Sequence, residues 1–456
     1  MAYEVKKTTD EEVVLTKEDI LKIIEEYDVT KYIKFANYFK TLHAILDKKT
    51  GANKPNNILI NNFPAYITTV NVGYFMGKPV TYATEEQFQK SLDDIQNSFD
   101  YNDEQAENAI LAKQTSMKGK CYELLYVDEE SNLRFNNVPA ENMIVGFDDA
   151  ITPNYKFAIR FAKSADGESF KFVEVYTDTD VVTYVGEGKD IIESERFNHP
   201  FGDVPVIEYL NNDEALGDFE STVSLIDAYN SAQSETADDL EYFSDAYLKI
   251  KNLSGTTDED LANMRKNRAI FVDGDGDADF LTKSINDVAV ENYKNRLQED
   301  IHRFSMTPNL TDESFAGNLS GIALEFKLWG LEQLAAQKER MFKKALQRRI
   351  ELICNYLGFK NKNFDWRNVK LNFKRNIPAN LNDIVEMVSK LKGIISDRTL
   401  LGQLPFIEDV NEELEIIAEE ASAYADTIFE ETDVANETVT EVTTPDEDEE
   451  ILTDEV

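Results

Sequence analysis

Between Gly217 and Leu357 the sequence sets out a helix, a compact insertion, a second helix, a polar loop and one very long helix, in that order. Gly217–Tyr242 reads as the first helix. In the insertion, AYLKIKNL reads as a strand, TTDEDLANMRKNR as a capped helix, and AIFVDGDGDADFLTK as strands joined by a turn. Ser284–Ser305 reads as the second helix, and Met306–Ser320 as a polar, glycine-containing loop. Gly321–Leu357 has no proline, and Gly330 is its one internal weak point, so it predicts a single helix of about 55 Å. A helix pair bracketing an insertion presents that insertion at the far end of a two-helix stalk. Both helices carry apolar faces: Val223, Ile226, Ala228 and Tyr229 on the first, Val288, Tyr293, Leu297, Ile301 and Phe304 on the second. Two helices cannot bury all of these against each other. Packing on neighbouring subunits and an ordinary hairpin within one monomeric domain are the two readings.

Upstream, Thr16–Leu46 reads as helical, with Thr16 as N-cap, Asp19 three residues on, and Ile20, Ile23, Ile24 and Tyr27 at helical spacing. Ile58–Met76 predicts a buried helix that accepts Pro64 near its start and is ended by Gly77-Lys78-Pro79. Thr84–Lys118 reads as further helix. From Lys120 to Tyr209 the texture turns to strands (CYELLYV, LRF, KFAIRFA, FKFVEVY, VVTYV), which predict an antiparallel sheet with modest loops. After the long helix, WRNVKLNFKRNIP reads as a short strand pair or edge strand, and Asn380–Gly393 and Asp409–Glu431 as helices. The fold class is α+β.

Apolar content of 42% suits a chain that buries a sizeable core. No apolar run reaches 18 residues, and the N-terminus lacks an apolar signal region, so neither a membrane span nor a secretory signal is expected. Cys121 and Cys354 fit no zinc or CxxC spacing, and a reduced intracellular assembly site is the simplest setting. The formal charge is −40, and half of it lies beyond Ile407, where 20 Asp and Glu face no Lys or Arg. Past about Thr432 the chain is acidic and Thr-rich, and disorder is expected. An acidic surface argues against a tight grip on phosphates, which depends on Lys, Arg and released counterions. It fits a protein that must not stick to DNA, and it also fits solubility alone.

Catalytic signals are absent. There is no G-x-x-x-x-G-K-[ST] phosphate cradle, no G-x-S-x-G and no HExxH. His43, His199 and His302 are scattered and read as surface or hydrogen-bonded residues. Asp273, Asp275 and Asp277 resemble the start of a calcium loop, but position six is Ala278 and position twelve Ser284. A turn between strands accounts for Gly274 and Gly276, so these aspartates are only weak metal candidates. No catalytic residue, metal or cofactor is expected. The competing function classes are a metal-dependent DNA-processing enzyme with converging carboxylates and a calcium-binding surface protein.

The segment Asn56-Asn57-Ile58-Leu59-Ile60-Asn61-Asn62-Phe63-Pro64-Ala65-Tyr66-Ile67, with Gly73-Tyr74-Phe75-Met76-Gly77-Lys78-Pro79-Val80-Thr81-Tyr82, resembles a signature of siphophage portal (head–tail connector) proteins. Leu225–Asn230 with Asp245–Leu248, then Ser320–Leu324 with Leu328–Glu332, then Asn376-Ile377-Pro378 match in the same order, so the resemblance spans about residues 15–420. It implies a portal fold: a mixed α/β wing (1–216 and 321–378), a helical stem (217–242 and 284–305), a small α/β clip (243–283), a channel loop (306–320), a helical crown (379–431) and an acidic disordered tail (432–456). It implies a homo-oligomeric ring, usually of twelve copies, at one capsid vertex of the virion, assembled in the host cytoplasm and independent of membrane. The implied partners are double-stranded DNA without sequence preference, the terminase large subunit, the head-completion adaptor, and the major capsid and scaffolding proteins.

On that resemblance Thr307, Asn309, Thr311, Asp312, Glu313, Ser314, Gly317 and Asn318 belong to the channel loop. The loop has no Lys or Arg, unlike portals with lysines near the channel, so no lysine ring is assigned. Asn309, Thr311, Ser314 and Asn318 could touch DNA without an electrostatic trap, and Gly317 gives local freedom. Arg265, Lys266 and Arg268 form a basic cluster in the clip. It reads either as a solvated helix C-terminus or as a dock for acidic groups of terminase or adaptor. The basic residues over Lys338–Arg349 are expected to make intersubunit or intrahelical pairs.

Overall fold

Thr16 opens the first long element of the computed structural model as its capping residue. The Asp19 amide donates to the Thr16 hydroxyl and the Thr16 amide to Asp19, both at 3.2 Å. The structure describes residues 3–4, 15–51, 54–164, 169–187, 190–244, 247–251, 257–259, 262, 277–281, 287–312, 321–377, 381–404, 406–407, 410–411 and 413–422. They fall into two units, Met1–Asn376 and Ile377–Val456.

In the first unit, β1 (Tyr3–Glu4) precedes α1 (Lys17–Glu26) and α2 (Thr30–Phe39). The helical stretch expected over Thr16–Leu46 is interrupted: the Thr30 amide donates to the Asp28 carboxylate just ahead of α2, and Thr41 adopts φ +65°. α3 (Phe63–Met76) takes Pro64 in its first turn, as predicted, behind the Asn62 cap. It starts later than predicted because Asn57–Asn61 run extended along a later helix, α6 (residues 223–244). The amides of Asn57, Leu59 and Asn61 donate to Asp238, Ser234 and Asn230. Two extended residues advance about 6.6 Å and four helical residues about 6.0 Å, so the rungs stay in step.

β2 (Thr81–Ala83), α4 (Gln89–Asp100) and α5 (Glu104–Lys118) follow. The helical stretch predicted over Thr84–Lys118 breaks at Asp103, φ +49°, where the buried Asn102 amide donates to Ser98 and Leu133 carbonyls. α5 stops at Gly119, φ +84°. A Cβ there would lie 1.9 Å from the Ala215 carbonyl oxygen, so only glycine fits.

The strand region forms two sheets rather than one. β3 (Lys120–Val127) and β4 (Leu133–Val138) join β10 (Val206–Leu210) in the order β10-β3-β4. Pro139 and a short turn at Ala140–Asn142 then divert the chain into β5 (Met143–Phe147). β6 (Tyr155–Lys163), β7 (Phe170–Tyr176), β8 (Asp180–Glu187) and β9 (Asp190–Asn198) complete a six-stranded sheet, order β1-β5-β6-β7-β8-β9. It is antiparallel except where β1 meets β5. Alternation along β6 sends Phe157, Ile159 and Phe161 towards Ile20, Ile23 and Ile24 of α1, and Ala158 towards Tyr122 and Val206 on the other face.

α6 (Val223–Ser244) and α7 (Asp287–Phe304) bracket the antiparallel pair β11 (Tyr247–Lys251) and β12 (Asp277–Leu281). Both helices start inside the predicted bounds; a 3-10 turn at Glu220–Thr222 precedes α6. Val223 and Ile226 of α6 and Ile301 of α7 pack with Phe35, Tyr38 and Ile67. α8 (Gly321–Phe359) is the long helix, 39 residues, or about 58 Å. β13 (Lys370–Asn372) pairs with β2, which accounts for the predicted short strand. The second unit holds α9 (Leu381–Leu391), α10 (Asp397–Leu401), capped by Ser396, and helical residues 413–422. Among the described residues no helix is long and apolar enough to cross a membrane.

Candidate functional site

The polar loop leaves α7 at Met306, whose φ of +53° turns the chain sharply off the helix axis. Four bonds then fasten its first residues. His302 Nδ1 lies 3.0 Å from the Thr307 carbonyl, and the Thr307 hydroxyl donates to Asn71 Oδ1 at 3.1 Å. The Tyr66 hydroxyl donates to the Pro308 carbonyl and accepts from the Leu310 amide, each at 2.9 Å. Burial pushes the His302 imidazole below its ordinary pKa, against the Thr307 carbonyl, so at neutral pH Nδ1 carries the proton that it donates. Thr307, assigned to the loop, lies at its root. It is fully buried and anchors the loop root.

Asn309 and Thr311 remain at the surface side of this root. Asn309 Oδ1 accepts from the Thr311 amide at 3.2 Å and from its hydroxyl at 2.7 Å. Both line a cavity of 280 Å³ with Phe63, Tyr66, Gln298 and His302, and among the described residues no charged side chain lines it. Asp312 is exposed. Glu313, Ser314, Gly317 and Asn318 lie outside the described residues, as do Arg265, Lys266, Arg268, Asp273 and Asp275. Asp277 sits in β12 opposite Lys251. Among the described residues no three His, Cys, Asp or Glu converge as a metal site.

Asn71 leads from the loop root to a buried carboxylate. Asn71 Nδ2 donates to Asp218 at 3.0 Å, Ser116 Oγ at 2.5 Å and Asn211 Nδ2 at 2.8 Å, and Lys338 of α8 donates its ammonium to the same group. Burial alone would raise the Asp218 pKa; the Lys338 charge and these donors outweigh it and hold the carboxyl below the usual range. A second buried cluster lies further along α8. Arg349 grips Glu123 with Nε at 2.8 Å and Nη2 at 2.7 Å, and reaches Glu104 with Nη1 at 2.9 Å. Arg348 pairs with Asp203 at 2.9 Å. The expectation of intersubunit or intrahelical pairs over 338–349 is thereby corrected for these three. Their partners are distant residues of the same chain, brought close by packing of α8 on α5, β3 and β10. Tyr66, Asn71, Asp218, His302 and Lys338 were not singled out as loop anchors, since only the asparagine-rich segment around Tyr66 carried a sequence signal.

The helices flanking the loop leave large apolar side chains in solvent. Ile322, Phe326 and Trp329 share one face of the first turns of α8, and Phe326 is 76% exposed. Leu240 of α6 and Val288, Tyr293 and Phe304 of α7 are exposed too, Val288 to 70%.

The family described as "Phage portal protein, SPP1 Gp6-like" matches residues 18–427. The portal protein of Bacillus phage SPP1 is 28% identical over 443 residues, spanning 89% of this chain and 87% of the relative. The portal protein of Clostridium phage phiCD119 is 24% identical over 404 residues, spanning 82% and 87%. Among solved structures, a chain from the neck of the native GTA particle aligns at a TM-score of 0.49 with 11% identity, over 84% of this chain and 95% of that one. One from the neck of the empty GTA particle aligns at 0.48 with 12% identity, over 75% and 90%.

Proposed function

Since the chain belongs to the SPP1 Gp6-like family of phage portal proteins, we propose that twelve copies form a ring around a channel for double-stranded DNA at one capsid vertex. The family is structural rather than enzymatic, and phage portal proteins are virion components. In this reading residues 217–242 and 284–305 are the stem, 243–283 the clip, 306–320 the channel loop and 379–431 the crown. Residues 1–216 and 321–378 are the wing.

The observation that carries the ring is the set of large apolar side chains that α7 and the start of α8 leave exposed. Val288, Tyr293, Phe304, Ile322, Phe326 and Trp329 are too many and too large for an ordinary monomer surface. A second copy supplies the apolar partner that each monomer lacks. The charged groups of the loop between α7 and α8 are the acidic Asp312 and Glu313, with no Lys or Arg to trap a phosphate. Screening over about 8 Å confines the repulsion to near contact, which suits a duplex that must slide. The clip, with Arg265, Lys266 and Arg268, docks acidic groups of the terminase large subunit and later the head-completion adaptor. Capsid and scaffolding proteins meet the wing.

A reconstituted packaging reaction tests the lining. Asp312→Lys with Glu313→Lys is expected to slow DNA entry relative to the unmodified ring. Equal rates would remove the argument for a non-adhesive loop.

A further inference from the structure

We infer that Thr307 is a positioning residue through which the long helix sets the place of the loop root, by way of Asn71, Asp218 and Lys338. The direction of each bond follows from the one before it. Lys338 can only donate, and an ionised Asp218 can only accept. Asn71 must therefore turn its amide nitrogen to Asp218, at 3.0 Å, which leaves its oxygen facing the loop. Thr307 meets that oxygen by donating its hydroxyl at 3.1 Å. Every member is buried: Asn71 is 2% exposed, Asp218 8%, Lys338 4% and Thr307 0%. Water is thus a poor substitute for any lost partner.

The hydroxyl has a second acceptor in reach. The Ser305 carbonyl lies 3.2 Å away, at the end of the same turn. When Asn71 is correctly oriented, Thr307 is tied to the body; when it is not, the hydroxyl falls back on its own turn and the tie to α3 is lost. α8 also passes beside the root. A Cβ added to Gly330 would lie 3.6 Å from the Met306 carbonyl oxygen, eight residues, or about 12 Å, before Lys338. A shift of α8 against α3 must disturb one of these two contacts, so the loop root follows the helix. That the loop faces DNA rests on the portal reading; the linkage between loop root and helix does not.

Hydrogen exchange read by mass spectrometry on the full-length assembled protein tests this. Thr307→Val is expected to speed exchange of the 305–310 peptide about fivefold, the loss of one neutral hydrogen bond. Thr307→Ser should restore the native rate. Lys338→Met should speed exchange of the same peptide, yet add nothing in the Thr307→Val background. If Lys338→Met does not fold, Ser116→Ala, which removes one donor from Asp218, takes its place in the cycle. Native exchange in Thr307→Val, or full additivity of the two changes, overturns the linkage. Absence of rings in micrographs would overturn the portal reading instead and leave this result standing.

Discussion

Arg349 is wholly buried and holds two carboxylates that no other cation reaches among the described residues. Arg349→Met would strand Glu104 and Glu123 without their counterion, and should cost about 3–5 kcal/mol in denaturant unfolding. Adding Glu104→Gln and Glu123→Gln should return part of that loss. His43, His199 and His302 carry a shared acid sensitivity, because burial depresses each below the ordinary 6.5. The unfolded chain then binds protons more readily than the folded one. Stability from these groups is complete above pH 6.5 and is lost as pH falls through the lower folded values. Melting temperature should therefore drop on acidification below 6.5, and less steeply in a His43→Gln variant. The basic residues of α8 were legible in the sequence as charges, and their partners were not. Glu123 stands more than two hundred positions from Arg349, and only the packing of α8 on β3 joins them.

Helix α8 was readable almost to its ends, because a long proline-free run with apolar residues at helical spacing admits little else. The Thr16 capping box and Pro64 in the first turn of α3 were equally plain. The breaks at Thr41 and Asp103 were not. A non-glycine residue in the left-handed region has no strong signature, and tertiary bonds such as those of Asn102 decide it. β5, β9 and β10 escaped notice for other reasons. β5 is short and apolar without alternation, β9 is rich in charge and exposed, and β10 is a brief buried run. Glycine behaviour separates two of these elements. Gly330→Ala should stabilise α8 by about 0.5–1 kcal/mol, since its Cβ meets Met306 at an ordinary 3.6 Å. Gly119→Ala should destabilise by more than about 1 kcal/mol, because φ is +84° and the Ala215 carbonyl blocks the Cβ. Thermal unfolding of the two variants side by side reads both signs.

For the whole molecule, the portal family was legible from collinear motifs, whereas the surface that joins copies was legible only as apolar faces without a known partner. In the proposed ring that surface includes apolar side chains of α7 and α8 that the folded chain leaves exposed. Phe326→Glu combined with Trp329→Glu should shift the assembled species towards single copies in sedimentation, while the circular dichroism of the chain stays native. Negative-stain images of the purified protein, paired with its native mass, test the central claim most directly. Rings with a central hole wide enough for a duplex, and a mass close to twelve times 52.0 kDa, are expected. A single species of 52.0 kDa, with no ring in any image, would contradict it.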